Sequence, residues 1–518
     1  MRARLVALVI LLAGTFGCRQ SIDVPPGFLV VGMQSFPNNL DPRIGTDEAS
    51  QKIHQLLYSY LLRIDDRLRI VPGLASSWDN PDPLTYIVRL REGVSFHDGR
   101  ILSAADVVFT FSSFLDPAFV SARKGAYRLL DSVRALDPLT VEFRLKEPFG
   151  SFPINLVMDI VPAPTPGSPT EDFARQPVGT GPYRFMRSVT DDRVVLAAFP
   201  NYFEGAARNP GLVLRTIPDD TMRGLELRKG TVDLIVNDLS PDVVHQLGRD
   251  DRLQVSEAPG TDYAYVGLNL RDPILRDVRV RQALAMAIDR SAIVEHLRRG
   301  QAEVALGILP RASWAFEPNV PAFPYDPARA RQMLDEAGYP DPDGDGPRPR
   351  FYLSLKVSSA EFYRLQAAVI QQDLQRVAVD VDIRSHEFAT LYADVLSGNF
   401  QMYTLVWVGV SDPDMLRRVF HSKQIPPSGF NRGFFSDPRV DRVIDAATTS
   451  TNGSERARLY AEAQRLIAGE VPYISLWHRT NVAVAQRGLT GIRLSPSADF
   501  GFLKDVGRTD KPGRAAAR

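Results

Sequence analysis

Apolar positions along this chain follow two periods, one of strands and one of helices, and the two alternate. "FLVVGMQS" (28–35) is a short apolar run and predicts a first buried strand. In "QKIHQLLYSYLLRI" (51–64), Ile53, Leu56, Leu57, Tyr60 and Leu61 fall at helical spacing. "TYIVRL" (85–90) alternates as a strand, and "HDG" then predicts a tight turn with Gly99 at positive φ. Ser103 is placed to cap a helix, with Asp106 three residues on, and Val107, Val108, Phe111 and Phe114 form its apolar face. Thr140–Leu145 reads as another strand, and "PVGTGPYRF" (177–185) as a Gly/Pro turn running into one. "LVLRTIPDDTMRGLELRKGTVDLIV" (212–236) reads strand–helix–strand. From 263 a strand leads into two helices. Val280, Leu284, Ala287 and Ile288 mark the first, and the second starts near Asp289 or Ser291 and stops at Gly300. Further helices and strands follow to a closing strand near Trp477, and this βαβ rhythm predicts an α/β protein.

The first eighteen residues break the pattern. Arg2 and Arg4 precede the apolar "LVALVILLAG" (5–14), and the small residues Thr15 and Gly17 stand just before Cys18. This is the layout of a secretory signal peptide, because the run is shorter than the ~20 residues that span a bilayer. We expect a signal peptide over 1–17, export of the body, and a polar tether over 18–27. Cys18 is the only cysteine in 518 residues, so neither an internal disulfide nor a cysteine zinc site is available. It resembles the lipidated cysteine of bacterial lipoproteins, which implies a membrane anchor. Thr15 and Gly17 suit a general signal peptidase equally well, and that alternative stays open.

Lys+Arg and Asp+Glu both total 61, a balance that removes the electrostatic case for nucleic acid. No Walker motif or GxSxG elbow is present, "GTGPYR" lacks the third glycine of a dinucleotide fingerprint, and "HEFAT" at His386 lacks a second zinc-binding histidine. "DPDGDG" (341–346) begins like a calcium loop, but Tyr352 stands where the loop needs Glu, and the stretch is read as a turn. We expect no metal and no cofactor. His54 and His97 are the histidines to inspect if metal chemistry were present.

Five segments in order carry a family resemblance: "PGLASSW", "TYIVRLREGVSFHDGRILSAADVVFTF", "PVGTGPYRF", "RDVRVRQALAMAIDR" and "GEVPYISLW". Together they resemble the extracytoplasmic solute-binding proteins of ABC transporters, family 5, the oligopeptide/dipeptide/nickel-binding type. The resemblance implies a two-lobed periplasmic-binding-protein-like α/β fold of the large type II class, with an extra subdomain and a hinge of two chain crossings. Mapped here, lobe I is 28–46, 177–265 and 480–505; the subdomain is 47–176; lobe II is 266–479; and 506–518 is a disordered tail. The crossings are expected near "VGLNLRD" and "HRTNVAV". The implied function is capture of a peptide or similar small solute and delivery to the permease and ATPase of an ABC importer, by a monomer and without enzymatic chemistry. An exported hydrolase, or a sensor or chaperone that keeps the fold without transport, is the alternative.

The same resemblance points to ligand contacts after a tryptophan of lobe II, here Trp407 and Asp412 in "LVWVGVSDPDMLRRVF" (405–420). Peptide-binding members carry a further Asp between the Trp and the Asp-Pro. Val408, Gly409, Val410 and Ser411 occupy those positions here, so di- and tripeptides are expected to bind weakly. Asn269, beside a crossing, is read as a ligand or a hinge contact. Asn39 and Asp41 follow the first strand, where α/β folds gather ligand contacts, or else form a turn. Tyr183, in the Gly/Pro turn beside Thr180, completes the candidates.

Overall fold

The computed structural model describes residues 24–164, 172–344 and 346–509. The expected signal peptide, Cys18, most of the tether and the tail from 510 lie outside the described residues. No helix among the described residues is long and apolar enough to cross a membrane.

One eleven-stranded sheet runs through most of the molecule. In one half, Leu29–Met33 lies parallel to Gly211–Thr216 and to Leu234–Val236, and the antiparallel pair Tyr183–Val189 and Arg193–Ala198 closes the edge. In the other half, Phe351–Ser358 lies parallel to Val379–His386 and to Met402–Trp407. Two long antiparallel strands, Leu253–Leu268 and Tyr473–Gln486, belong to both halves. Their register breaks between Pro259 and Tyr263, ahead of "VGLNLRD". Gly260 sits at this break, where a side chain would collide with the Arg479 carbonyl.

Side-chain packing separates the halves. Leu29, Val31, Ile53, Leu56, Leu214, Ala485 and Phe500 share one core. Val266, Leu284, Ile370 and Trp477 share another. A third core, containing Leu61, Val88, Phe111, Phe143 and Phe152, lies under the separate four-stranded sheet of Ala75–Asp82, Thr85–Leu90, Leu130–Asp137 and Thr140–Leu145.

The helix read across 51–64 ends early. It spans Glu48–Leu57, and Leu62–Ile64 is a strand. The apolar spacing continues past the helix end because Leu61 and Leu62 enter the third core while Ile53, Leu56 and Leu57 enter the first. Ser103 starts its helix as read: its backbone N–H donates to the Asp106 carboxylate at 2.8 Å. The helix after Asp289 widens into π turns over Ile293–Leu297 before Gly300 at φ 78°. The tail expected from 506 is ordered at its start. Gly507–Arg508 pairs with Leu489–Thr490, and Arg508 reaches the buried Asp233 at 2.6 Å.

Candidate ligand cleft between the lobes

The carboxyl ends of the three parallel strands of the first half, at Met33, Thr216 and Val236, point toward the second half, the edge where open α/β sheets place ligands. Beyond this edge the segment Trp407–Asp412 forms the facing wall. Trp407 ends its strand, Val408 is 79% exposed, and Gly409 turns the chain at φ 68°.

One end of this wall rests on the shared strand Leu253–Leu268, and the other faces the subdomain. At the hinge end the Gly409 N–H donates to Asp262 Oδ1 at 3.0 Å, and Asp262 lies 3.7 Å from Arg479. Glu48, on the first-lobe helix, feels the charge of Arg479 and pairs with Lys52 at 2.9 Å, while Lys52 also reaches Asp238 at 3.1 Å. Burial pushes Glu48 up, but Lys52 and Arg479 outweigh it and its carboxyl titrates below the usual range. Asp262 ends above its usual range because burial prevails over the Gly409 N–H and Arg479. Arg298 stacks on Trp477 and Phe362; burial and then Arg479 draw its pKa down to about 10. Three carboxylates, Glu48, Asp238 and Asp262, and three cations, Lys52, Arg298 and Arg479, thus gather at the hinge.

At the other end, Asp412 faces the subdomain. Burial and Asp414 push its carboxyl up to about 6, and Ser151 of the subdomain is its hydrogen-bonding neighbour across the gap. Arg456 donates to the Ser151 hydroxyl, and the Gly150 N–H donates to the Thr448 carbonyl at 2.7 Å. The subdomain and the second lobe therefore touch at this end of the cleft.

Among the six binding residues read from sequence, Trp407 and Asp412 lie on this wall. Asp412 also holds its own turn, accepting from the Asp414 N–H at 2.7 Å. The other four spend their polar groups within one lobe. Asn39 accepts from the Asp41 N–H at 2.8 Å, and Asp41 is clamped by Arg43 at 2.7 Å. The Tyr183 hydroxyl, fully buried, donates to the Leu503 carbonyl at 3.0 Å. Asn269 donates to the Phe400 carbonyl at 2.8 Å. Among the described residues no group of three or more His, Cys, Asp or Glu is arranged to hold a metal. Asp262, Arg479 and Glu48 were not singled out in sequence. Gly260, just ahead of Asp262, was the one local sign that the strand breaks there.

Residues 69–426 match the middle region of bacterial extracellular solute-binding proteins, family 5. The oligopeptide-binding protein AppA of Bacillus subtilis is 30% identical over 494 residues, which cover 92% of this chain and 90% of AppA. Heme-binding protein A of Haemophilus influenzae is 31% identical over 487 residues, covering 88% and 86%. The solved structure of HbpA2 from Haemophilus parasuis superposes with a TM-score of 0.83 at 28% identity, covering 93% of this chain and 100% of that one. These relatives are binding proteins rather than enzymes. With its two-lobed α/β fold and interlobe cleft, the chain belongs to the family 5 extracellular solute-binding proteins, which capture a solute outside the cytoplasm and deliver it to an ABC importer.

Proposed function

We propose that the cargo is a peptide-sized solute bearing at least one carboxylate, held between the lobes and released unchanged. The protein acts as a monomer anchored through Cys18. The observation that carries the cargo reading is the set of opposite charges at the hinge end of the cleft, Glu48 and Asp262 with Arg479 and Arg298. Such a floor suits a polar solute with charged groups and is a poor match for a purely apolar one. The relatives named for oligopeptide and heme support it, since both ligands carry carboxylates. Release of the solute unchanged is supported by the relatives, which are named as binding proteins.

The test is mass spectrometry of low-mass solutes released from protein purified without denaturation from its native host. The reading expects one enriched carboxylate-bearing solute returned unaltered. An enriched solute without any acidic group, or one recovered as a cleaved product, contradicts it.

A further inference from the structure

A buried cation lies behind Trp407. Arg432 is 4% exposed, and among the described residues no carboxylate comes within ion-pairing distance of it. Its guanidinium lies 4.5 Å from the centre of the Trp407 ring, 5.1 Å from Tyr392 and 5.5 Å from Phe430. Its terminal nitrogens donate to the hydroxyls of Tyr265 and Tyr392, each at 3.2 Å. Its Nε–H has no acceptor, and neither has the neighbouring indole N–H of Trp407.

Burying an ion is costly even after relaxation, and aromatic faces offset only part of that cost. Two phenol oxygens do not supply the missing negative charge, and each orphaned donor adds to the cost. The arrangement is therefore short of an anion and of hydrogen-bond acceptors. The place adjoins the cleft. Tyr392, Trp407 and Phe430 are each partly exposed, and Trp407 leads directly into the exposed Val408 and Gly409 of the wall.

We infer that Arg432 and the rings around it form an anion subsite of lobe II, which takes the carboxylate of a solute whose adjoining apolar part rests on Trp407, Val408 and Phe430. A carboxylate would supply the acceptor that the Arg432 Nε–H lacks, a charge-assisted hydrogen bond stronger than a neutral one. This inference rests on the cargo reading above and adds where the carboxylate sits.

The test uses two fluorescent probes that differ in one group, dansylglycine and its neutral amide, dansylglycinamide, titrated into the full chain freed of bound solute. Wild type is expected to bind the acid roughly ten- to a hundredfold more tightly than the amide. Arg432→Gln should remove that gap while leaving amide binding in place, and Arg432→Lys should keep part of it. Val408→Asp alters only an exposed side chain and tests the subsite if Arg432→Gln fails to fold. It should weaken the acid and spare the amide. Equal affinities in wild type, including no binding of either probe, overturn the inference, as does a gap that survives both Arg432→Gln and Val408→Asp. The two readings fail separately. A neutral native solute with an Arg432-dependent probe gap sinks the cargo reading alone, and an acidic native solute with no such gap sinks the subsite alone.

Discussion

His97 joins two turns through both ring nitrogens. The Gly179 N–H donates to Nδ1 at 3.3 Å, which leaves the proton on Nε2 to donate to the Gly181 carbonyl at 3.1 Å. Burial holds the ring pKa down at about 4. A ring that must stay neutral stabilises the fold above its unfolded pKa of 6.5, and that contribution is lost as pH falls toward 4, by up to about 1.4 kcal/mol per pH unit. Asp159 has the opposite sign. Buried, with Oδ1 unpartnered, it is pushed up to about 7, so its neutral form is favoured in the fold. The stability it provides in acid is lost as pH rises from about 4 to 7. Thermal melts should therefore show the advantage of wild type over His97→Gln shrinking from pH 7 to 4.5, and that of Asp159→Asn over wild type growing from pH 5 to 7. Differences that do not vary with pH would refute both assignments. Asp412 belongs to this scale too. Burial and Asp414 favour its neutral form, and the Asp414 N–H and Ser151 already engage it, so it makes a poor clamp for an α-amine, and calorimetric titration of di- and tripeptides should give no micromolar binding.

Short elements position the residues that meet across the cleft. The turn before Phe152–Leu156 presents Phe149, Gly150 and Ser151 to the ends of Pro438–Thr449 and Gly453–Glu470. Arg417 lies 5.7 Å over the Phe149 ring, and Arg456 bridges from Ser151 to the Ala447 carbonyl at 3.3 Å. Gly150 is required here by space, since any Cβ would run into the Ser450 carbonyl oxygen. Gly150→Val should hold the lobes apart and weaken solute binding, with a larger radius of gyration by X-ray scattering than solute-loaded wild type. An unchanged radius and affinity would show that the contact does not govern closure. Elements with a strong local signal were legible in sequence: the Ser103 cap, "TYIVRL", and the strand–helix–strand of 212–236. The helix end at Leu57 was not, because buried residues on both sides of it continue one spacing into two different cores. Nor was the length of Leu253–Leu268. Its first half carries no buried-strand signal because every residue from Gln254 to Pro259 is at least partly exposed.

At the scale of the whole molecule, two strands are shared by both halves, and their register shifts between Pro259 and Tyr263, where the halves join. A solute that touches both walls stabilises the closed state by its differential affinity, which is how binding becomes a signal to the importer. The family was legible because its five segments keep their order over most of the chain. The proposed binding groups were not. Arg432, Asp262 and Glu48 lie far apart in sequence, so no local motif links them, whereas Asn39, Asp41 and Tyr183 stand in recognisable turns and hydrogen-bond within their own lobe. Anchoring also belongs to the whole molecule: Cys18→Ser should release the body from membranes, and a variant that stays in the membrane pellet would contradict the anchor. The central claim, that a solute is captured by closure of two lobes, is tested most directly by X-ray scattering of the protein with its native solute and after that solute is stripped. We predict a larger radius of gyration in the stripped protein, reversed when the solute is returned. Identical scattering in the two states would contradict it.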